Sequence, residues 1–305
     1  MYNDMNTLAL KGYYADADFD YATAPLHYYD NEGREVSADS KLMYYRTDTG
    51  EPLGIQTSKY NPISHKEMID TSRDILDKSG LNLSNLDEEI QTSNNGSMCF
   101  VKHTLPEHKI TTPDGDSACM SMLHINSFNG VWAYQGSSGA RQAACLNSQV
   151  FTKGAGAVYK SKHSSLLDVA HGARVILNVL TTMDDQNVMW HTWANTPVTR
   201  EIVFTTLVEA SGSAYAMGKI KEGLSFTEII DLPRVRNNKS LEYMLARFRS
   251  HYSKIMGNNY WALYNTLTDW STHHTPKTKK NSVSMPVLQL NRSLLVGNLL
   301  EAFPA

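Results

Sequence analysis

The spacing of apolar and polar residues changes character along the chain, and the changes mark out its elements. Two short apolar runs, 42–47 (LMYYRT) and 53–58 (LGIQTS), flank Asp48-Thr49-Gly50-Glu51-Pro52. Turn formers between β-rich runs predict a hairpin. Ser64-His65-Lys66-Glu67 then has the form of a capping box, in which the Ser64 hydroxyl and the Glu67 carboxylate satisfy otherwise orphan amide protons. Ile63 and Met68 stand at the staple positions, Ile75 and Leu76 continue the apolar stripe, and Gly80 offers a C-terminal cap, so a helix is expected over about 65–79.

From Ser97 to Phe151 the runs SMCFVKHTL, KITT, ACMSMLHINSF and VWAYQ are β-branched or aromatic, broken by Asp114-Gly115 and Asn129-Gly130. Such dipeptides favour the positive-φ turns that match strand twist, which predicts an antiparallel meander. After Lys162 a helical spacing returns through Leu166, Leu167, Ala170, Ala173, Leu177, Leu180 and Met183, with Ser165 as the expected cap. Further helices are expected at about 199–210, 239–255, 258–272 and 290–302. Residues 1–40, rich in Tyr, Asp and Asn with weak periodicity, read as an arm that is irregular unless it docks. The expected fold class is α+β, an antiparallel β meander packed against helices with a helical C-terminal half. The expected regions are an N-terminal arm and hairpin (1–54), an α+β core (55–233) and a basic helical C-terminal region packed on the core (234–305), with no internal repeat.

The composition, 41% hydrophobic and 19% charged in 305 residues, supports a sizeable core and excludes disorder as the main state. No segment approaches ~18 consecutive apolar residues, and the start carries no basic then apolar leader, so a cytoplasmic protein without a membrane span is expected. Cys99, Cys119 and Cys145, odd in number and far apart, fit a reducing compartment.

The net charge of -3 hides a gradient. Residues 1–116 hold 10 basic and 20 acidic side chains, residues 117–233 hold 8 and 8, and residues 234–305 hold 10 and 3. Between Gly139 and Arg174 the bases Arg141, Lys153, Lys160, Lys162 and Arg174 face only Asp168. Two readings follow: a groove for nucleic-acid phosphates, or docking on the acidic part of the same or a neighbouring chain.

No complete catalytic motif is present. Gly154-Ala155-Gly156 ahead of Lys160 lacks the Gly directly before the Lys that a phosphate loop needs, because Tyr159 stands there. Gly136-Ser137-Ser138-Gly139 before Arg141 suits either an anion-binding nest or a plain loop between strands, the loop being the commoner case. Cys99 with His103, and Cys119 with His124, lack the fixed spacing of a tetrahedral metal site, and buried cysteine is more often a small hydrophobe. No carboxylate lies between Ser117 and Leu167, so the meander lacks the acidic set of a two-metal nuclease. Cys145 has no motif-linked base. No catalytic residue, metal ligand or cofactor is therefore nominated. What remains is a composition suited to single strands: Trp132, Tyr134, Arg141, Lys153, Lys160, Lys162 and His163, bases beside aromatic residues that share a strand face. Burial of the two rings would remove the stacking part of that reading.

Ile125-Asn126-Ser127-Phe128-Asn129-Gly130-Val131-Trp132-Ala133-Tyr134, followed by Gly139-Ala140-Arg141-Gln142-Ala143-Ala144-Cys145-Leu146-Asn147, resembles the core "NSHDG...A...G..R.VCSNG" of a phage and plasmid family known as domain of unknown function 932. Phe128-Asn129 stands where that family often has His-Asp, and Leu146 and Ser148 also depart from it. Lys160-Ser161-Lys162-His163 is similar to its "K.RH" segment, the stretch from Asn258 to His273 to its "LW..YNA.T....H" helix, and Tyr60 to Ser64 to its start, so the resemblance covers about 55–303. It implies a phage- or plasmid-encoded protein in the host cytoplasm and supplies no enzymatic residues. A remoter similarity of layout, to Rad52-like phage single-strand annealing proteins, implies non-catalytic binding of single-stranded DNA by its phosphates, for annealing or recombination. Under it Arg141, Lys153, Lys160, Lys162, His163 and Arg174 contact the backbone, Trp132 and Tyr134 stack, and Arg247 and Arg249 form a second tier. The acidic N-terminal and basic C-terminal parts then suit a head-to-tail homo-oligomer. The competing expectations are a host-takeover or anti-defence interaction protein without DNA affinity and, third, a nuclease.

Overall fold

The computed structural model describes residues 14–132, 134–142, 148–149, 158–161, 169–275 and 285–304. Strands fill the first half and helices the second, so the chain is α+β. Two compact units are built from interleaved stretches: Met1–His108, Met120–Ser138 and Ala157–Val179 in one, and Lys109–Cys119, Gly139–Gly156 and Leu180–Ala305 in the other.

In the first unit β1 (Tyr21–Tyr29), β2 (Glu35–Arg46) and β3 (Pro52–Thr57) form an antiparallel sheet in that order. The expected hairpin is β2–β3, with Met43 opposite Ile55. The first 40 residues are not an irregular arm over their described part, because β1 and the start of β2 form a second hairpin. Its turn is fixed by Asp30, whose Oδ1 accepts from the Glu32 and Arg34 amides at 2.8 and 3.0 Å, and by Gly33 at φ 78. A register shift between Pro25 and His27 breaks the alternation, which is why the sequence carries no clean two-residue period there.

The second sheet runs β4 (Asp87–Ser93), β5 (Met98–Thr111), β6 (Ser117–Ser127), β7 (Tyr134–Gln142), β8 (Ser148–Gln149), with β9 (Val158–Ser161) also paired to β7. The expected turns are present, Gly115 at φ 82 and Gly130 at φ 75. β4, acidic and weakly apolar, is a strand the sequence pattern does not announce; it pairs with β5, Ile90 opposite Val101. Gly136 to Gly139 lies within β7, so neither the nest nor the loop expected there forms.

Helix α1 (His65–Ser79) has its expected bounds: Ser64 Oγ accepts from the Glu67 amide at 3.0 Å, and Gly80 ends it in the left-handed region at φ 71. Met68, Ile69, Ile75 and Leu76 are its buried stripe. Beside it Phe19, Tyr44, Leu53 and Phe128 form an aromatic-rich core, flanked by Tyr21, Leu42 and Tyr60.

The helix expected after Lys162 is α2 (Val169–Asn195), while its proposed cap Ser165 and the leucines 166 and 167 lie outside the described residues. Next come α3 (Arg200–Ala210), three short helices α4 (Ala214–Lys221), α5 (Phe226–Ile230) and α6 (Pro233–Arg236), and α7 (Lys239–Arg247). α7 continues through a π-turn (Phe248–Tyr252) and a last turn (Ser253–Met256), ending at Gly257 with φ 88. α8 (Tyr260–His273) and α9 (Met285–Leu299) close the chain. α8 is buried on every side from Trp261 to Ser271, and it packs Trp261 and Tyr264 against Trp190 at 5.5 and 5.9 Å between centroids. Its polar side chains satisfy themselves locally: Asn265 Nδ2 donates to the Trp261 carbonyl at 2.9 Å and Thr266 Oγ1 to that of Ala262 at 2.8 Å.

Candidate functional site

The chemically richest group of side chains is a polar row in the first unit. Glu88 on β4 and His103 on β5 are directly opposed across the strand pair, His124 follows on β6 and Tyr134 on β7, and Arg73 reaches the row from α1. All five are buried. Arg73 donates from Nε and Nη2 to the two oxygens of Glu88 at 2.9 and 2.6 Å, the forked geometry that suits guanidinium and carboxylate. His103 Nε2 donates to Glu88 Oε2 at 3.0 Å. The His103 and His124 rings meet edge to face at 5.8 Å, and His124 Nδ1 shares a 3.2 Å hydrogen bond with the Tyr134 hydroxyl.

Burial by itself would push the Glu88 carboxyl up, but the hydrogen bonds and charges of His103 and Arg73 outweigh it and hold the carboxyl at about 2. For His124 burial dominates, with the neighbouring His103 adding to it, and the imidazole is held well below its ordinary range. The row thus keeps one full ion pair and a neutral imidazole inside the protein. Cys99, four positions before His103, is fully buried, and burial pushes its thiol up. His103 Nε2 is engaged by Glu88 and His124 Nδ1 by Tyr134. Among the described residues no three His, Cys, Asp or Glu side chains are grouped to hold a metal ion. The arrangement ties four neighbouring strands and α1 into one register.

A second polar cluster is built on the Ile125 to Tyr134 stretch. Asn126 Nδ2 donates to the Ile63 carbonyl at 2.7 Å and lies 3.3 Å from His65 Nδ1. His65 Nε2 donates to the Gly96 carbonyl at 2.6 Å, and its ring sits edge-on to Phe19 and Phe128 at 5.5 and 4.9 Å. Ser127 Oγ donates to the Trp132 carbonyl and accepts from the Trp132 amide, at 3.0 and 2.9 Å, closing the turn around Asn129-Gly130. β3 lies close over that turn: a Cβ on Gly54 would stand 2.7 Å from the Asn129 Cα. The chain matches the family model described as Domain of unknown function (DUF932) over residues 52–295. It belongs to the DUF932 family. No curated protein and no solved structure matches it. Of the DUF932-like residues that are described, Ile125, Asn126, Ser127, Phe128 and Tyr134 are buried, as is α8, while Gly130 and Val131 are exposed.

The residues expected to hold nucleic acid divide into three groups. Tyr134 is fully buried in the polar row, so the stacking role expected of it is closed to its ring. Trp132 is half-buried and set edge-on against Phe100 at 5.1 Å. Arg141 lies on β7 opposite Ser148, Lys160 on β9 opposite Gln135 of β7, and Arg174 on α2. Lys153, Lys162 and His163 fall outside the described residues. Of the second tier, Arg247 is engaged by the buried carboxylate of Asp269, which also accepts from the Tyr243 hydroxyl at 3.3 Å. Arg249 is exposed, with its guanidinium 5.5 Å from the centre of the Phe226 ring.

Sequence reasoning passed over the polar row as chemistry because its members are scattered from position 73 to 134 and only strand register assembles them. Glu88 opposite His103 was the one pair with a findable signal, a carboxylate and an imidazole on successive strands. No helix among the described residues is long and apolar enough to cross a membrane.

Proposed function

We propose that the protein is a phage- or plasmid-encoded, cytoplasmic DNA-metabolism protein that binds single-stranded DNA by its phosphate backbone and serves annealing or recombination without catalysis. The observation that carries the reading is the pairing of β7 with β9. It sets Lys160 opposite Gln135 on the strand that also bears Arg141, six positions further along. The local excess of Arg141, Lys153, Lys160, Lys162 and Arg174 over the single Asp168 supports the same reading. With Tyr134 buried, affinity rests on phosphate contacts, which are tolerant of sequence and steep in salt. Opposite charge at the two ends of the chain supports head-to-tail assembly into a homo-oligomer.

Titration of a labelled single-stranded oligonucleotide at two salt concentrations tests this. Tight binding that weakens steeply with salt is expected, and replacing both lysines (K160E/K162E) is expected to lower affinity for every oligonucleotide sequence. Absence of binding at low salt by folded protein would overturn the reading in favour of an interaction protein without DNA affinity. Metal-dependent cleavage of the oligonucleotide would overturn its non-catalytic part.

A further inference from the structure

We infer that a second anion-tracking surface exists on the second unit, formed by α4, α5, α6 and the π-turn of α7, with Arg234 and Arg249 as its anchors and the phosphodiester chain of single-stranded DNA as its ligand. The inference rests on the DNA-binding reading above for the identity of the polyanion; the surface itself is independent of the sheet.

Residues 214–256 hold eight basic and four acidic side chains. Three of the bases have carboxylate partners: Lys219 with Glu222 at 2.6 Å, Lys239 with Glu242 at 2.8 Å, and Arg247 with Asp269. The other five, Lys221, Arg234, Arg236, Arg249 and Lys254, are exposed and have no carboxylate within 4.0 Å among the described residues. On the acidic side, Glu228 caps α5, its carboxylate accepting from the Ser225 amide at 2.8 Å, and the fourth acid, Asp231, is exposed.

An ordinary solvated helix surface pairs its cations with acids three or four residues away, as Lys219 and Lys239 do. Arg234 and Arg249 are held differently. The Arg234 guanidinium carbon lies 5.2 Å from the centre of the Tyr215 ring, with Lys219 Nζ at 5.9 Å from the same ring, and Arg249 lies 5.5 Å from the centre of the Phe226 ring. A cation over an aromatic face is attracted by the ring's negative face, which limits the rotamers of its side chain. The guanidinium N–H edges remain available for bidentate contact with an anion, and less side-chain entropy is lost when one binds. Phe226 is in turn braced edge-on by Phe204 at 4.6 Å, so the platform under Arg249 is anchored in the helical core. The five cations are distributed over α4, α6 and the α7 extension and do not converge on one point, which suits a repeating anion better than a small one.

The test uses the full chain and a labelled oligothymidylate, with fluorescence anisotropy at several salt concentrations. R234Q/R249Q is expected to weaken binding about tenfold and to flatten the slope of log affinity against log salt by about 1.4, two phosphate contacts at about 0.7 each on a single strand. R234K/R249K is expected to recover part of the affinity by restoring charge without the fork. If the parent binds and K160E/K162E weakens it while R234Q/R249Q does not, this surface is overturned and the sheet-borne reading stands. If the parent does not bind at low salt, both fall. Both anchors are exposed, so an unchanged thermal midpoint is expected for the variants, and a weakened R234Q/R249Q with that midpoint supports the inference.

Discussion

His65 makes acid a specific threat to the first unit. Its imidazole is fully buried, Nε2 donates to the Gly96 carbonyl at 2.6 Å, and Nδ1 is 3.3 Å from the Asn126 amide nitrogen. A carbonyl can only accept, so Nε2 carries the proton of the neutral ring and Nδ1 is left as the acceptor. A second proton would sit on Nδ1, turned toward another donor in a site lined by Phe19 and Phe128. Burial is the main cause that lowers the imidazole from 6.5 to about 4; the Gly96 hydrogen bond works against it and the Arg46 charge adds to it. In the unfolded chain the ring takes up a proton as pH falls through 6.5, whereas the folded protein resists until about 4. The unfolded state binds more protons in that window, so stability falls as pH falls from 6.5 to 4, by roughly 3 kcal/mol for this residue at about 1.36 kcal/mol per pH unit. Urea unfolding of the parent and of His65→Gln, from pH 7.5 to 4.5, measures it. The glutamine can donate but does not titrate, so the variant should be less stable at pH 7.5 by about 1–2 kcal/mol through imperfect hydrogen bonding. The difference should shrink by roughly 2–3 kcal/mol, and change sign, by pH 4.5. His124 is present in both proteins and cancels. A difference between the two that stays constant across the pH range refutes the reasoning.

Glu88→Gln strips the Arg73 and His103 contacts of their charged acceptor and should cost about 3–5 kcal/mol in urea unfolding, the usual penalty for leaving a buried cation without its partner. Gly54→Ala sets a methyl 2.7 Å from the backbone of Asn129, so the turn or β3 must shift, and a loss of about 1–3 kcal/mol is expected. Gly50→Ala, at φ 74 with open space around it, should cost only about 1 kcal/mol, and thermal unfolding of the two side by side separates crowding from backbone strain.

How far each element was legible in the sequence depended on whether its signal was local. Helix α1 was readable because Ser64 and Gly80 are themselves the groups that end it. The β5–β6 and β6–β7 turns were readable because Asp114-Gly115 and Asn129-Gly130 demand positive φ whatever the rest of the chain does. β1 and β4 were not: β1 is broken by a register shift at Pro25, and β4, with Asp87, Glu88 and Glu89 at its start, looks like solvent-exposed chain until Arg73 and His103 are seen to neutralise Glu88. The short helices α4, α5 and α6 each span eight residues or fewer, too few to establish a period before a new cap begins. For the same reason the candidate sites were half legible. The excess of bases is a matter of counting. Which aromatic rings are hidden, as Tyr134 is, and which are set beneath a guanidinium, as Tyr215 and Phe226 are, is decided by contacts between elements.

Among the described residues, several of those that carry the DUF932 resemblance are buried. Asn126 fixes His65 and the approach to α1, Ser127 closes the turn at Asn129-Gly130, Tyr134 completes the polar row, and α8 is a helix wrapped by its neighbours. Each of these residues has a mechanical task that would hold for any ligand, so the resemblance speaks first for a shared scaffold. Ligand recognition needs groups that reach solvent with donors and charge still available, and among the described residues such groups stand at exposed positions of the 214–256 stretch. A buried polar interior that sets strand register and a cationic exterior whose arginines rest on tyrosine and phenylalanine are separate solutions to separate problems. Substitutions at His65, Glu88 or Gly54 should therefore move stability, while substitutions at Lys160, Arg234 or Arg249 should move affinity and its salt dependence with the fold unchanged.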